Sequence, residues 1–246
     1  VLSVQYEGHK DMVRTLTTDK SGQYLATGSD DTTVKIWEVN TGRCLKTIKT
    51  EGIVRSIEWC PNTAISLILV ASNNRVLLVN PNVGDFVVGS KTDTVLKDSP
   101  QADVIISERV RNCVQWVEPT EDEYSAGIRL VLTHFKEVAQ VTWHGKGDYF
   151  ATVMPDGQNR SVLISQLSKR RSQLPFSKSK GLVQRVLFHP IRPLLFVATQ
   201  RHVRIYDLVK QELVKKLLTN SRWISNMDIH SGGDNLLVAT YDRKIL

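Results

Sequence analysis

The stretch that decides the fold is YLATGSDDTTVKIWE at residues 24–38. Its second part alternates the apolar Val34 and Ile36 with polar neighbours and then reaches Trp37. Alternation with a period of two residues is typical of a β-strand that buries one face. We therefore predict a half-buried strand at residues 33–38 that carries a tryptophan near its end.

A second copy of this pattern lies further along the chain. His9 aligns with His134, and in each copy a Tyr-Leu-Ala-Thr or Tyr-Phe-Ala-Thr sequence ends eighteen residues after the histidine. An aspartate follows four residues later in both copies, at Asp31 and Asp156. This shared spacing indicates an internal repeat.

The repeat has a measurable period. Equivalent strand ends occur at Trp37, Val79, Ser165 and Tyr206, which are separated by 42, 86 and 41 residues. The interval of 86 is one period plus an insertion. A period near 42 residues with several short strands per unit is typical of a β-propeller.

The first unit resembles a complete WD repeat at residues 8–9, 28–31 and 36–38, with Glu38 in place of the signature aspartate. The resemblance implies a structural tetrad of His9, Thr27, Asp31 and Trp37. A buried aspartate needs hydrogen-bond donors, and a satisfied network of this kind stabilises a blade. The third unit has Ser165 at the tryptophan position. It therefore implies only a partial tetrad of His134, Thr152 and Asp156.

We expect an all-β protein, a WD-repeat β-propeller with about four blades and part of a fifth. The blades are predicted at residues 6–48, 49–90, 134–175, 181–218 and 220–246, the last of them truncated. Propellers close with four to eight complete blades, and a chain that ends in part of a fifth blade would leave open edge strands. We therefore expect the chain to be incomplete relative to a closed domain of about seven blades.

Residues 81–133 separate the second and third predicted blades. They carry nine acidic and five basic residues, three prolines and the run Glu121, Asp122 and Glu123. We predict an inserted, mostly exposed acidic loop after the second blade. Short strands at residues 86–88, 104–106 and 128–132 are the alternative.

The next part of the chain is basic. Residues 157–206 contain ten basic residues and no Asp or Glu. A cluster between the third and fourth blades is our candidate RNA-binding site, with Phe176 as a stacking face: Lys169, Arg170, Arg171, Phe176, Lys178 and Lys180. A solvated basic loop or a nuclear-import signal is the alternative. Arg204 is expected on the outer face of a strand, where a charge is ordinary.

Composition limits the remaining functions. The chain has 246 residues, of which 41% are hydrophobic, as is ordinary for a packed protein. Its longest strongly apolar run, at residues 65–71, is too short to cross a bilayer, and no signal stretch opens the chain. The three cysteines lie far apart and no histidines have metal-ligand spacing, so we predict no metal and no cofactor. The net charge of +7 permits a polyanionic partner.

Less generic stretches resemble the carboxy-terminal propeller of the block-of-proliferation family, WD-repeat proteins of eukaryotic ribosome biogenesis. They are residues 141–149, 166–176, 211–217, 233–235 and 79–81, together with the long insertion. The resemblance implies a nucleolar and nucleoplasmic scaffold, not an enzyme, that serves precursor ribosomal RNA processing and pre-60S particles. It also implies two protein partners, a pescadillo-type protein and a second WD-repeat protein. The pescadillo contact is expected mainly outside this chain.

Two hypotheses of different class remain from the residues. The first is an assembly scaffold whose basic loop holds precursor RNA, with no membrane and no small-molecule substrate. The second is a generic WD-repeat adaptor that recognises peptides and has no RNA role. A hydrolase built on His9, Asp31 and Thr27 is a third, because those residue types also form nucleophilic triads, but the blade tetrad already explains their spacing.

Overall fold

The computed structural model describes residues 2–98, 106–178 and 180–246. Their strands form five antiparallel sheets that follow one another along the chain, and we call these sheets blades 1 to 5. Three blades have four strands, one has five and the last has two. This architecture confirms the predicted WD-repeat propeller type, with four blades and part of a fifth.

The strands are short and evenly spaced. Blade 1 contains β1 (Val13–Thr18), β2 (Tyr24–Ser29), β3 (Thr33–Glu38) and β4 (Cys44–Lys49). Blade 2 contains β5 (Val54–Trp59), β6 (Ile68–Ser72), β7 (Arg75–Val79), β8 (Val114–Val117) and β9 (Ile128–His134). Blade 3 contains β10 (Gln140–Trp143), β11 (Tyr149–Val153), β12 (Val162–Gln166) and β13 (Arg171–Gln173). Blade 4 contains β14 (Arg185–Phe188), β15 (Leu194–Ala198), β16 (His202–Asp207) and β17 (Glu212–Leu218), and blade 5 contains β18 (Ile224–Ile229) and β19 (Leu236–Thr240).

The strand predicted at residues 33–38 is β3, with the same bounds. Val34 and Ile36 are fully buried on it, as the alternation indicated. They pack with Ile68 and Val70 of blade 2, so this part of the apolar core lies between neighbouring blades.

The acidic insertion is not a loop that follows a finished second blade, and that prediction is wrong. β9 pairs with β7 along its whole length and is the fourth strand of blade 2, and β8 pairs with β9 as a fifth. The segment between β7 and β9 also contains α1 (Phe86–Asp98), α2 (Glu108–Arg111) and α3 (Glu121–Ala126). The insertion therefore lies between the third and fourth strands of blade 2.

The structure confirms one of the strands predicted as alternatives in this segment and contradicts another. Residues 128–132 lie in β9, as that alternative predicted, whereas residues 86–88 begin α1 and are not a strand. Of residues 104–106, the first two lie outside the described residues. The acidic run at residues 121–123 forms the first turn of α3, where negative charge stabilises the amino end of a helix.

Ionic and polar contacts hold the insertion to blade 2. The Arg129 guanidinium of β9 is buried and pairs with Asp93 of α1 at 2.7 Å. Asn80, after β7, donates to Asp93 at 2.9 Å and to the Gly89 carbonyl at 3.0 Å. Arg75 of β7 pairs with Glu123 of α3 at 2.6 Å. Leu96 of α1 joins the core cluster of blades 2 and 3, so the insertion is packed structure.

The first strands of successive blades lie side by side and are joined by a repeated polar contact. At one register position, a side-chain oxygen accepts a hydrogen bond from an amide of the next blade. The pairs are Thr15 with Ile57 at 3.1 Å, Ser56 with Val141 at 3.2 Å and Gln140 with Val186 at 2.7 Å. These contacts fix the register of each first strand against the first strand of the next blade. None of the described helices is long and apolar enough to span a bilayer.

Candidate functional site

Four side chains of blade 1 form one hydrogen-bonded chain. The indole Nε1–H of Trp37 donates to Thr27 Oγ1 at 2.8 Å, and Thr27 Oγ1 lies 2.7 Å from His9 Nε2. The other ring nitrogen, His9 Nδ1, lies 2.8 Å from Asp31 Oδ2. Every group is satisfied when His9 Nδ1–H donates to Asp31 and the Thr27 hydroxyl donates to Nε2, which is the assignment the network requires. The structure thus brings together all four residues of the expected tetrad.

Asp31 is the anchor of this network. Its carboxylate accepts hydrogen bonds from the Thr33 hydroxyl at 2.6 Å, the Thr33 amide at 3.0 Å and the Lys10 amide at 2.9 Å. Burial acts to raise the pKa of this carboxyl, but the bonds from Thr33, Lys10 and His9 hold the pKa well below its ordinary value. The carboxylate is therefore ionised at neutral pH and ties the β2–β3 turn to the segment that precedes β1.

In blade 3 the structure brings together only two of the three predicted residues. His134 Nε2 lies 3.0 Å from Thr152 Oγ1, while Nδ1 lies 3.3 Å from the Leu132 carbonyl oxygen, where the carboxylate stands in blade 1. Asp156 is exposed, because the longer β11–β12 connection forms a 3₁₀ helix at Pro155–Arg160. Complete burial lowers the pKa of His134 to about 4, so its ring is neutral at pH 7.

A tryptophan of the insertion contacts blade 3 next to its tryptophan position. Ser165 is buried there, with its Oγ 2.8 Å from Ser172 Oγ. Trp116 of β8 donates its Nε1–H to Ser172 Oγ at 3.0 Å, and its ring centroid lies 6.2 Å from that of Phe150. An indole from blade 2 therefore packs beside the two small residues of blade 3.

The structure divides the predicted RNA-binding residues into two groups. Lys169, Arg171, Lys178 and Lys180 are exposed, on the β12–β13 turn, on β13 and on the β13–β14 connection. Arg170 differs, since its guanidinium donates to Glu118 at 2.8 Å and to the Leu96 carbonyl. Its side chain is only 11% exposed. Arg170 therefore holds the insertion against blade 3, and its charge is already paired.

Phe176 is not a free stacking face in this structure. Its ring lies 4.1 Å from the Tyr206 ring, centroid to centroid, with an interplanar angle of 33°. It is half-buried against the core cluster shared by blades 3 and 4. This contact fixes the β13–β14 connection to the sheet of blade 4.

Strand pairing reveals cations that the sequence pattern missed. Arg204 of β16 lies directly opposite Lys216 of β17, and an Arg204 Nη1–H donates to the Lys180 carbonyl oxygen. The alternation around Val203 predicts only an ordinary exposed charge at Arg204, and Lys216 lies beyond the basic stretch. Only the antiparallel register places them together, and the signal available was the alternation around Val203 combined with the basic run at residues 215–216.

A cavity of about 550 Å³ lies where the first strands of the blades begin, and we call it the channel-mouth cavity. Arg14, Arg55 and Arg185 line it, from blades 1, 2 and 4. Arg14 pairs with Asp30, and Arg55 with Glu137 at 3.0 Å. Arg185 has no carboxylate partner among the described residues, although its Nε–H donates to the Ser225 carbonyl at 3.3 Å. Burial lowers the pKa of Arg185, but the group stays charged at neutral pH.

No group of three His, Cys, Asp or Glu side chains within the described ranges is arranged to hold a metal ion. The three cysteines are unpaired, with Cys44 exposed and Cys60 and Cys113 buried.

The five successive sheets and the hydrogen-bonded residues of blade 1 define a WD-repeat protein. The WD domain, G-beta repeat family matches residues 1–38, which include all four residues of that network.

The match to particular proteins extends over the whole chain. The chain is 63% identical over 246 residues to the ribosome biogenesis protein BOP1 homolog of Drosophila melanogaster. The matched region covers 100% of this chain and 31% of that protein. It is 63% identical over 241 residues to the homologs of Culex quinquefasciatus and Aedes aegypti, covering 98% of this chain and 28% of each relative. The resemblance to the block-of-proliferation family is thus confirmed, and the chain spans less than a third of the length of these curated relatives.

Proposed function

We propose that this chain is part of a non-enzymatic scaffold in ribosome biogenesis. In this proposal it supports maturation of the large ribosomal subunit and processing of precursor ribosomal RNA, through protein docking and RNA contact. The observation that carries the proposal is the 63% identity, along essentially the whole chain, to proteins named for ribosome biogenesis.

The charge distribution supports an RNA contact. The exposed cations lie close in sequence, on the β12–β13 turn, on β13 and on the connection to blade 4: Lys169, Arg171, Lys178 and Lys180. Lysine and arginine side chains neutralise phosphates and displace counterions, which gives affinity that is independent of sequence and falls with salt. Arg170 and Phe176 act differently in this proposal: they hold the insertion and the connection in place.

The proposed partners and location follow from the family resemblance. We propose a pescadillo-type protein, a second WD-repeat protein and pre-60S particles as partners, and the nucleolus and nucleoplasm as the location. The blades offer exposed turns and edge strands for such docking.

The blade 1 network supports a structural role for the residues that resemble a nucleophilic triad. Thr27 Oγ1 is engaged by both Trp37 and His9, and Thr27 itself is only 6% exposed. A nucleophile needs an open approach for the reacting atom. We therefore assign His9, Thr27 and Asp31 a structural role in blade 1.

Crosslinking and immunoprecipitation of the full-length protein from cells tests the proposal. The double variant Lys169→Glu/Arg171→Glu is compared with Lys20→Glu/Lys49→Glu, which changes the same net charge at exposed sites of blade 1. We expect the wild-type protein and the blade 1 variant to recover precursor ribosomal RNA together with the proposed partners. We expect the blade 3 variant to recover less RNA and the same proteins. Recovery of an unrelated partner set without precursor RNA would refute the scaffold proposal.

A generic adaptor is the second candidate, and the channel-mouth cavity favours it. The unpaired Arg185 guanidinium at this cavity fits a carboxylate of an acidic peptide. A fluorescein-labelled glutamate-rich peptide is the probe. Binding that Arg185→Gln abolishes, in a protein without RNA affinity, would favour the adaptor.

A further inference from the structure

The outer strands of blade 4 place like charges face to face. Arg204 and Lys216 are directly opposite in the antiparallel β16–β17 pair. Like charges in such a pair destabilise a sheet. Across the described ranges, no carboxylate lies within ion-pair distance of either side chain, whereas Arg75, Arg129 and Arg170 each have such a partner.

Other basic side chains lie beside this pair. His202 lies two residues before Arg204 on the same face of β16, and Arg201 precedes it. The pKa of His202 is lowered, first by partial burial and then by the positive charges of Lys216, Arg204 and Arg201. The positive charges of Arg201, Arg204 and Lys216 therefore lie around the His202 ring. We call these four residues the blade 4 cationic face: His202, Arg204, Lys216 and Arg201.

The β13–β14 connection is fastened to the same side of the sheet. Tyr206, two residues after Arg204 and on the same face, stacks on Phe176. Arg204 donates to the backbone oxygen of Lys180. The two contacts bring the exposed Lys180 of the predicted basic cluster next to the blade 4 cationic face.

We propose that the blade 4 cationic face, extended by Lys180, binds the phosphodiester backbone of RNA. The inference rests on the proposed function and deepens it, since it moves the contact from the cluster at residues 169–171 to the paired strands β16 and β17 of blade 4. A row of unpaired cations on adjacent strands disfavours the free sheet, and a polyanion relieves that repulsion by neutralising several charges at once. A sheet with fixed register also positions these cations before RNA arrives, so little order is lost on binding.

Strand alternation provides a matched control within the same strand. Lys215 and Lys216 are consecutive and exposed, but they point to opposite faces of β17. Lys215 is paired with Ile205, away from the cationic face. Lys215→Glu and Lys216→Glu therefore change the net charge by the same amount. The two sites are one residue apart but lie on different surfaces.

The test is fluorescence anisotropy of the complete protein with a fluorescein-labelled single-stranded oligouridine, over a range of salt concentrations. We expect Lys216→Glu to weaken binding by about tenfold at low salt and to reduce the slope of log K against log salt by about one. We expect Lys215→Glu to stay within about twofold of wild type. Lys216→Gln, which removes the charge without reversing it, should lose affinity by an intermediate factor. The melting midpoint of Lys216→Glu should not be lower than that of wild type, because a repulsive pair becomes an attractive one.

The outcomes separate this inference from the function on which it rests. Wild-type binding that Lys215→Glu and Lys216→Glu reduce equally, or that neither reduces, overturns the blade 4 site and leaves RNA contact elsewhere standing. Absence of salt-dependent RNA binding by the wild-type protein overturns both. If Lys216→Glu abolishes binding of a labelled polyglutamate peptide while RNA affinity is unchanged, the face belongs to an acidic protein partner and the proposal is wrong.

Discussion

The indole of Trp116 donates a 3.0 Å hydrogen bond to the hydroxyl of Ser172, across the boundary between blades 2 and 3. Blade 1 contains its own tryptophan, Trp37, whereas blade 3 has Ser165 at that position. The insertion therefore supplies blade 3 with an aromatic side chain that its own repeat lacks. Blades 2 and 3 share one core cluster of buried residues, and Trp116 packs against it.

Removing this indole should destabilise blade 3. We expect Trp116→Ala to lower the free energy of unfolding by about 2–3 kcal/mol, less than for a fully buried tryptophan because the ring is half-buried. Trp223→Ala, at a residue that is 44% exposed, is the control and should cost less. Hydrogen exchange measured by mass spectrometry should show faster exchange in β12 and β13 for Trp116→Ala. Unchanged exchange there would contradict the proposed role of Trp116.

Two aspartates at equivalent repeat positions should behave differently. Asp31→Ala leaves the His9 and Thr33 donors without their acceptor and should cost about 1–3 kcal/mol of unfolding free energy. Asp156→Ala removes an exposed carboxylate and should change stability by less than about 0.5 kcal/mol. Denaturant unfolding of the complete domain measures both. Equal effects of the two substitutions would argue against the blade 1 network as a source of stability.

Glu58 should make the protein less stable as the pH rises. Burial raises the pKa of this carboxyl to about 7, against hydrogen bonds from the Trp143 amide and the Thr142 hydroxyl. The folded state thus holds a proton that the unfolded state releases above its ordinary pKa near 4.5, so stability falls between pH 4.5 and 7. Glu58→Gln keeps the acceptor oxygen and cannot ionise. We expect it to stabilise the protein by about 1–3 kcal/mol at pH 8 and to have little effect at pH 4.5.

His134 should have the opposite pH dependence. Its pKa is about 4 in the folded state and ordinarily near 6.5, so below 6.5 the unfolded state binds a proton that the folded state excludes. Stability attributable to His134 is complete above pH 6.5 and is lost as the pH falls towards 4, by at most about 1.4 kcal/mol per pH unit. Measuring it in the Glu58→Gln background removes the opposing titration. His134→Gln should flatten the profile in this range, and the exposed His230→Gln should leave it unchanged.

The parts of the fold that follow from local pattern could be predicted from the sequence. The alternation at Val34 and Ile36 determines β3, because one face of the strand is buried. The spacing of His9, Thr27 and Asp31 identifies the residues that meet in blade 1, because the turn between β2 and β3 is short. The same spacing fails in blade 3, since a longer connection turns Asp156 towards solvent.

The remaining features depend on pairings that are distant in sequence. The insertion had one local signal, the capping box of Thr120 and Glu123 that begins α3, but its acidic composition obscured it. Arg170 could not be distinguished from Arg171 by composition, because only the folded insertion brings Glu118 to it. Lys216 meets Arg204 through strand register alone.

The contacts of Thr15, Ser56 and Gln140 with the following blade have a consequence for how such a chain can evolve. Each polar side chain is matched in length to one neighbour: a hydroxyl spans two boundaries and the longer amide of Gln140 spans the third. Blade 3 is therefore not interchangeable with blade 1 or blade 2 at this contact. A shorter hydroxyl in place of the Gln140 amide would not reach the Val186 N–H, so the place of blade 3 in the order of the repeats is set by the chemistry at its junction with blade 4.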